Sequence, residues 1–172
     1  MDQIKVGITQ GDINGISYEI IIKTLLDTRI NDFCVPIVYG SAKVAAYHRK
    51  ALNIENFSLN IIRDAEKAHT KKSNVINCSD DSVRVELGKS SPEAGKAAFK
   101  ALDCAVKDLK EGKIDMIYLP NTRWFYGEEN KGEESGQMAK QMAELADVFV
   151  NDAFGSWQAH TSTVGINKHL PS

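Results

Sequence analysis

The sequence predicts an α/β chain: a mostly parallel sheet flanked by helices. Three observations carry this expectation. Short apolar runs suited to strands recur along the chain, at residues 4–9, 35–39 and 116–119. Stretches with helical periodicity stand between them, as the helical connections between parallel strands require. The joints are glycine-rich or carry helix-capping residues, such as Gly11 and Gly15, Gly40-Ser41, and Ser91-Pro92.

At 172 residues the chain is long enough for one domain or slightly more, which buries roughly 70% of the surface its unfolded form exposes. Its 21 basic and 23 acidic residues give a net charge of −2. That balance argues against nucleic acid or an anionic membrane as partner and leaves small polar substrates. The opening residues lack the pattern of a signal peptide and no apolar run approaches the ~18 residues of a membrane span. A cytoplasmic protein is expected. Cys34, Cys78 and Cys104 show no C-x-x-C spacing and read as reduced, mostly buried thiols.

In chain order, residues 4–9 alternate as a strand, and Gln10-Gly11-Asp12-Ile13-Asn14-Gly15 forms a tight loop. Ser17 is the expected cap of a helix that buries Ile20, Ile21 and Leu25. A glycine loop between a strand and a helix lets a ligand approach the backbone, and helix-start amides favour an anion. A plain tight turn reads equally well, because the spacing is not G-x-G-x-x-G. The next strand spans 35–39, capped through Ser41 into a helix at 42–52 with Val44, Ala45, Tyr47 and Ala51 apolar. A third strand is expected at 57–62, a short helix at 64–69, a fourth strand at 74–78 and a fifth at 82–87, the last two as a hairpin across Asp80-Asp81. Ser91 and Pro92 start a helix that buries Ala94, Ala98, Ala101, Ala105 and Leu109, runs to about Lys110 and stops at Gly112. The run from Ile114 to Asn121 reads as a core strand buried on both faces. A helix follows at 137–146 with Met138, Met142 and Leu145 on one face, then a strand at 147–151 and a helix start at 164–172. His48, His69, His160 and His169 read as surface or helix-end residues, with no pair at metal-ligand spacing. Trp124-Phe125-Tyr126 reads as packing behind a strand.

The run Val6-Gly7-Ile8-Thr9-Gln10-Gly11-Asp12-Ile13-Asn14-Gly15-Ile16-Ser17-Tyr18-Glu19-Ile20 resembles the N-terminal signature of the 4-hydroxythreonine-4-phosphate dehydrogenases. Pro36-Ile37-Val38-Tyr39-Gly40-Ser41 and Ser91-Pro92-Glu93-Ala94-Gly95-Lys96-Ala97-Ala98 resemble that family in order and spacing. The resemblance covers residues 1–115. It implies an isopropylmalate-dehydrogenase-like fold, incomplete here, a homodimer, and NAD with a divalent metal, acting on a phosphorylated hydroxy-amino acid in pyridoxal phosphate (vitamin B6) synthesis. Gly11, Asp12 and Gly15 would lie beside the cofactor. The family's metal-holding histidines and its His-Thr substrate pair come later than this segment, and its usual Thr-Ala-Pro-Ile-Asn-Lys continuation is absent after Asp115.

Residues 116–172 resemble a different family. Leu119-Pro120-Asn121-Thr122-Arg123-Trp124-Phe125, then Ala139-Lys140-Gln141-Met142-Ala143-Glu144-Leu145-Ala146 and Val150-Asn151-Asp152-Ala153-Phe154-Gly155, resemble the N-terminal domain of phosphoglycerate kinase, a Rossmann-like kinase domain. This second resemblance implies ATP and Mg as cofactors and 3-phosphoglycerate as substrate in glycolysis. It places Arg123 against the substrate's phosphate or carboxylate and His160 beside a substrate loop. A second arginine expected just before His160 is replaced by Gln158-Ala159. Catalytic residues are unassigned, no metal ligands are identified, and neither reaction centre is complete. The expectation is a joined chain that turns over neither substrate.

Overall fold

A computed structural model describes residues 3–78, 83–118, 128, 132–144, 147 and 160–171. The chain divides into two compact units, Met1–Pro120 and Asn121–Ser172.

The first unit is a parallel sheet of five strands: β1 (Ile4–Thr9), β2 (Cys34–Gly40), β3 (Asn60–Ile62), β4 (Asn74–Asn77) and β5 (Met116–Tyr118), in the order β3-β4-β2-β1-β5. Every strand pair is parallel. The expected α/β architecture with a parallel sheet is therefore what the chain forms. Helices α1 (Ser17–Leu25), α2 (Ile30–Phe33), α3 (Ala42–Ala51) and α4 (Pro92–Lys110) connect and cover the strands. The central strand β2 is buried from Val35 onward. It separates two apolar clusters: one holds Ile13, Tyr18, Ile22, Val38, Val44 and Val75, the other Val35, Ile37, Tyr39, Ala101, Ala105 and Ile114. Helix α4 serves both, because its alanines at 94, 97, 98, 101 and 105 form a small-residue stripe that lets its backbone lie close to the sheet. Its start is as expected: Ser91 Oγ accepts the amide of Ala94 at 3.2 Å, with proline in the first turn. Gly112, at φ 69°, then ends the helical run in a conformation that a side chain resists.

Several expectations are corrected. Ser17 is the first residue of α1, whose cap position is Ile16 with no side-chain cap bond. The buried face of α1 is Tyr18, Ile21, Ile22 and Leu25, while Ile20 is 52% exposed. A one-residue rotation of the helix accounts for both differences. On α3, Tyr47 and Ala51 face solvent and His48 takes the buried place, only 4% exposed. The third strand is confined to Asn60–Ile62. Residues 83–87 form no strand, so the expected hairpin is replaced by an irregular segment tied to the first loop. Among the described residues β5 is an edge strand of the sheet, with Met116 47% and Tyr118 67% exposed; an apolar run alone does not say which strands flank it. All three cysteines are free and half-buried.

In the second unit, α5 (Glu133–Ala143) begins four residues ahead of expectation, opening with Glu133 and Glu134, whose charge suits a helix start. It buries Met138, Ala139 and Ala143; Met142 is half-buried. The tail is helical from Thr161, earlier than expected, as a π-type turn (Thr161–Gly165) followed by a 3-10 turn (Ile166–Lys168). Ser135 and Thr161 join their hydroxyls at 2.6 Å. Asp80-Asp81, Trp124-Phe125-Tyr126 and residues 148–151 of the strand expected at 147–151 lie outside the described residues. Among the described residues no helix is long and apolar enough to cross a membrane.

Candidate functional site

The glycine loop sits at the carboxyl end of β1, beside the central strand, which is where open parallel sheets place ligand crevices. Gly11 is buried and takes the left-handed conformation, φ 62°, which makes glycine the fitting residue there. Asp12 then closes the turn on itself: its Oδ1 accepts the amide of Asn14 at 2.9 Å, and its carbonyl accepts the amide of Gly15 at 3.2 Å. A Cβ at Gly15 would lie 3.3 Å from Asp12 Oδ2. Gly11, Asp12 and Gly15 are thus brought into one turn, in which a carboxylate already takes an amide that an anionic ligand would have to use.

The rest of the loop is anchored from beneath. Gln10 is fully buried, its Nε2 donating to the carbonyl of Ala97 on α4 at 3.1 Å and its Oε1 accepting from Tyr18 Oη at 2.8 Å. The Tyr18 oxygen also accepts the amide of Ser41 at 2.9 Å, and Ser41 caps α3 through Val44. Burial pushes the Tyr18 phenol well above its ordinary range, so it stays a neutral donor. The Tyr18 ring stacks on His48, centroids 5.4 Å apart. His48 Nε2 lies 2.7 Å from the carbonyl of Ile13; a carbonyl only accepts, so that nitrogen carries the proton. The sequence reading missed Gln10, Tyr18 and His48 as a network. Polar side chains interleaved with the apolar face of the first helix were its only signal.

Asn14 anchors the other side. Its Nδ2 donates to the carbonyl of Lys89 at 2.8 Å, its Oδ1 accepts the amide of Glu86 at 2.8 Å, and its carbonyl accepts the amide of Gly88 at 2.9 Å. Residues 86–91 are thereby held against the loop at the foot of α4. Asn14 is 3% exposed, and its amide is satisfied on both the donor and the acceptor side.

Arg123 lies outside the described residues. His160 precedes the π-type turn of the second unit; its carbonyl accepts the backbone amide of Thr163 at 3.2 Å, while Thr163 Oγ1 accepts the amide of His160 at 3.0 Å. The adjacent Glu128 is 3% exposed; its carboxylate accepts the amide of Ser162 at 2.9 Å and the Ser162 hydroxyl. His160 and Glu128 thus serve the turn's backbone.

The donor chemistry does not fit a resident divalent metal: among the described residues no group of three or more His, Cys, Asp or Glu side chains could hold one. At Gly40 and Gly7 no cradle for a nucleotide is open. A Cβ at Gly40 would meet Gln10 Oε1 and Tyr18 Oη at 2.5 Å, and one at Gly7 would meet Ile114 at 2.7 Å. The chain's own side chains fill both spaces.

Sheet order and loop position define a parallel α/β scaffold of the 4-hydroxythreonine-4-phosphate dehydrogenase kind. The N-terminal region is 53% identical over 117 residues to the 4-hydroxythreonine-4-phosphate dehydrogenase of Bacteroides thetaiotaomicron, covering 67% of this chain and 32% of that protein. A solved structure of such an enzyme from Burkholderia phymatum superposes with TM-score 0.62 at 25% identity, over 81% of this chain and 44% of that one. Another from Klebsiella pneumoniae gives TM-score 0.62 at 22% identity, over 88% and 48%, and supports the fold alone. The phosphoglycerate kinase family model matches residues 66–172, more than half of the chain, so the chain belongs to the phosphoglycerate kinase family. The phosphoglycerate kinase of Pelotomaculum thermopropionicum is 46% identical over 87 residues, 50% of this chain and 21% of that protein. The matches to the two curated relatives add up to more residues than the chain contains, so they overlap. The chain spans about a third of the curated dehydrogenase and about a fifth of the curated kinase.

Proposed function

We propose that this chain is a non-catalytic scaffold. It carries the opening strand, loop and helix of an NAD-dependent 4-hydroxythreonine-4-phosphate dehydrogenase of pyridoxal phosphate synthesis, without the metal and substrate groups that hydride transfer requires. The observation that supports it is the closed state of the loop. Asp12 bonds the amides of its own turn, while Gln10 and Asn14 spend their side chains on α4 and on residues 86–91. An active loop would keep such groups for a ligand. The test adds NAD, 4-phosphohydroxythreonine and a divalent metal to the purified chain, beside a full-length dehydrogenase as control. A flat trace at the reduced-nicotinamide band is expected; steady turnover overturns the reading.

A second reading rests on the match over residues 66–172: a 3-phosphoglycerate site built on Arg123 and His160, where a forked guanidinium suits a phosphate or carboxylate. Titration of 3-phosphoglycerate into the wild type and Arg123→Ala decides it. Binding lost in the variant supports this reading, and binding unchanged by the substitution removes it.

A further inference from the structure

A cleft of about 540 Å³ opens where the amino ends of β3 and β4 meet the segment that runs from α1 into α2. The glycine loop follows the carboxyl end of β1, so the cleft belongs to the other end of the parallel sheet. Its size falls within the roughly 300–1,000 Å³ of small-molecule sites. Leu25, Phe57 and Leu59 supply apolar lining, and among the described residues two lysines, Lys71 and Lys72, but no carboxylate line it. Both lysine backbones are pinned, the Lys71 amide donating to His69 Nδ1 at 3.1 Å and the Lys72 carbonyl accepting from Asn74 Nδ2 at 2.8 Å. Neither ammonium has an ion-pair partner among the described residues. Arg49 adds a third cation nearby, its Nη1 donating to the carbonyl of Phe57 at 2.9 Å.

Two buried polar side chains in this lining have unmet bonding capacity. Ser73 is 7% exposed. Its carbonyl accepts the amide of Asn60 at 2.9 Å, but its hydroxyl has no hydrogen-bond partner among the described residues and is not sealed from solvent. Asn31 is 8% exposed. Its Nδ2 donates to the Thr28 carbonyl at 3.2 Å, which can only accept, so Oδ1 is the atom left over, and it has no partner. Buried polar groups are nearly always satisfied, so two unmet ones in a single cationic cleft point to a ligand. We propose that the cleft binds a small organic anion, a phosphate or carboxylate head on an apolar body. Lys71 and Lys72 pair with the head, the Ser73 hydroxyl donates to one of its oxygens, and the body packs against Phe57 and Leu59. Asn31 Oδ1 is sealed within the lining, so Ser73 and the lysines, not Asn31, anchor the ligand. This site goes beyond the scaffold reading, since it uses neither NAD nor the glycine loop.

The experiment titrates phenyl phosphate and benzoate into the whole chain, with benzyl alcohol as the neutral control, and follows backbone amides by NMR. At least one of the two anions is expected to shift the amides of Lys71, Lys72 and Ser73 saturably, and the tighter of the two identifies the head group. Benzyl alcohol should bind about tenfold more weakly. Ser73→Ala should weaken the anion about tenfold, the loss of one charge-assisted hydrogen bond. The double variant Lys71→Ser with Lys72→Ser should lose saturation altogether; both side chains are exposed, so amides away from the cleft should stay in place and show the fold intact. No saturable shift with either anion, equal binding of benzyl alcohol, unchanged affinity in the double variant, or shifts centred on the glycine loop would each overturn the proposal.

Discussion

Ile37 and Ile117 stand in the same row of the sheet, one on either side of Gly7, since the registers pair Gly7 with both. The residue type is identical and the surroundings are not. Ile37 on β2 is fully buried, with β1 and β4 as neighbours. Ile117 on β5 is half-buried, between a 47% exposed Met116 and a 67% exposed Tyr118. The difference teaches that burial here follows a strand's place in the sheet more than its composition.

The largest expected effect tests that contrast directly. Ile37→Ala should cost about 4 kcal/mol, the range for truncating a fully buried aliphatic side chain, and Ile117→Ala about 1 kcal/mol. Chemical denaturation of both variants checks it, and equal losses would break the comparison. Gly40→Ala sharpens it at the end of the central strand. Its methyl would strike Gln10 and Tyr18 at 2.5 Å, both fully buried, so a loss of about 3 kcal/mol is expected from overpacking and a displaced hydrogen bond. Asn14→Ala should cost about 2 kcal/mol, because the buried Asn14 amide group is lost and the part-buried amide of Glu86 and carbonyl of Lys89 lose their partner. Hydrogen exchange in that variant should accelerate at residues 86–91 ahead of β2. Tyr118→Ser should change stability by less than about 0.5 kcal/mol, as substitutions at exposed positions do.

The smallest effect lies at the surface. The Arg29 guanidinium holds the Asp27 carboxyl at about 2, below its ordinary 3.8. A depressed carboxyl contributes stability above its unfolded value and loses it as pH falls from near 3.8 toward 2. The pair is exposed, with side chains 81% and 45% accessible, and salt screens it. Asp27→Asn should therefore leave the acid unfolding midpoint nearly unmoved, while a proton titration followed by NMR should show the low carboxyl value directly.

Helix α4 was legible from end to end because its signals are local: a serine cap, a proline in the first turn, alanines at helical spacing and a terminal glycine. Strands β1 and β2 were legible for the same reason. What the sequence withheld depends on distant partners. The rank of β5 as an edge strand depends on which strands adjoin it, and the irregular path of residues 83–87 depends on Asn14, more than seventy positions earlier. At the candidate site, Gly11, Asp12 and Gly15 were found as a turn, but its self-closure rests on hydrogen bonds that motif spacing does not encode. The burial of His48 was missed because Tyr18 and Ile13, which receive it, belong to another helix and loop.

The register that joins Val6 to Met116 and the bond from the Lys5 amide to Asp115 carry a consequence for biosynthesis. Strand β1 leaves the ribosome 110 residues ahead of the segment that pairs with it, so one of its flanks stays open until residues 116–118 have been made. At translation speeds of about 5–20 residues per second, that edge waits for several seconds. A nascent chain of this topology therefore spends its early life with a bare template for stray strand pairing, and chaperone capture would act in that interval.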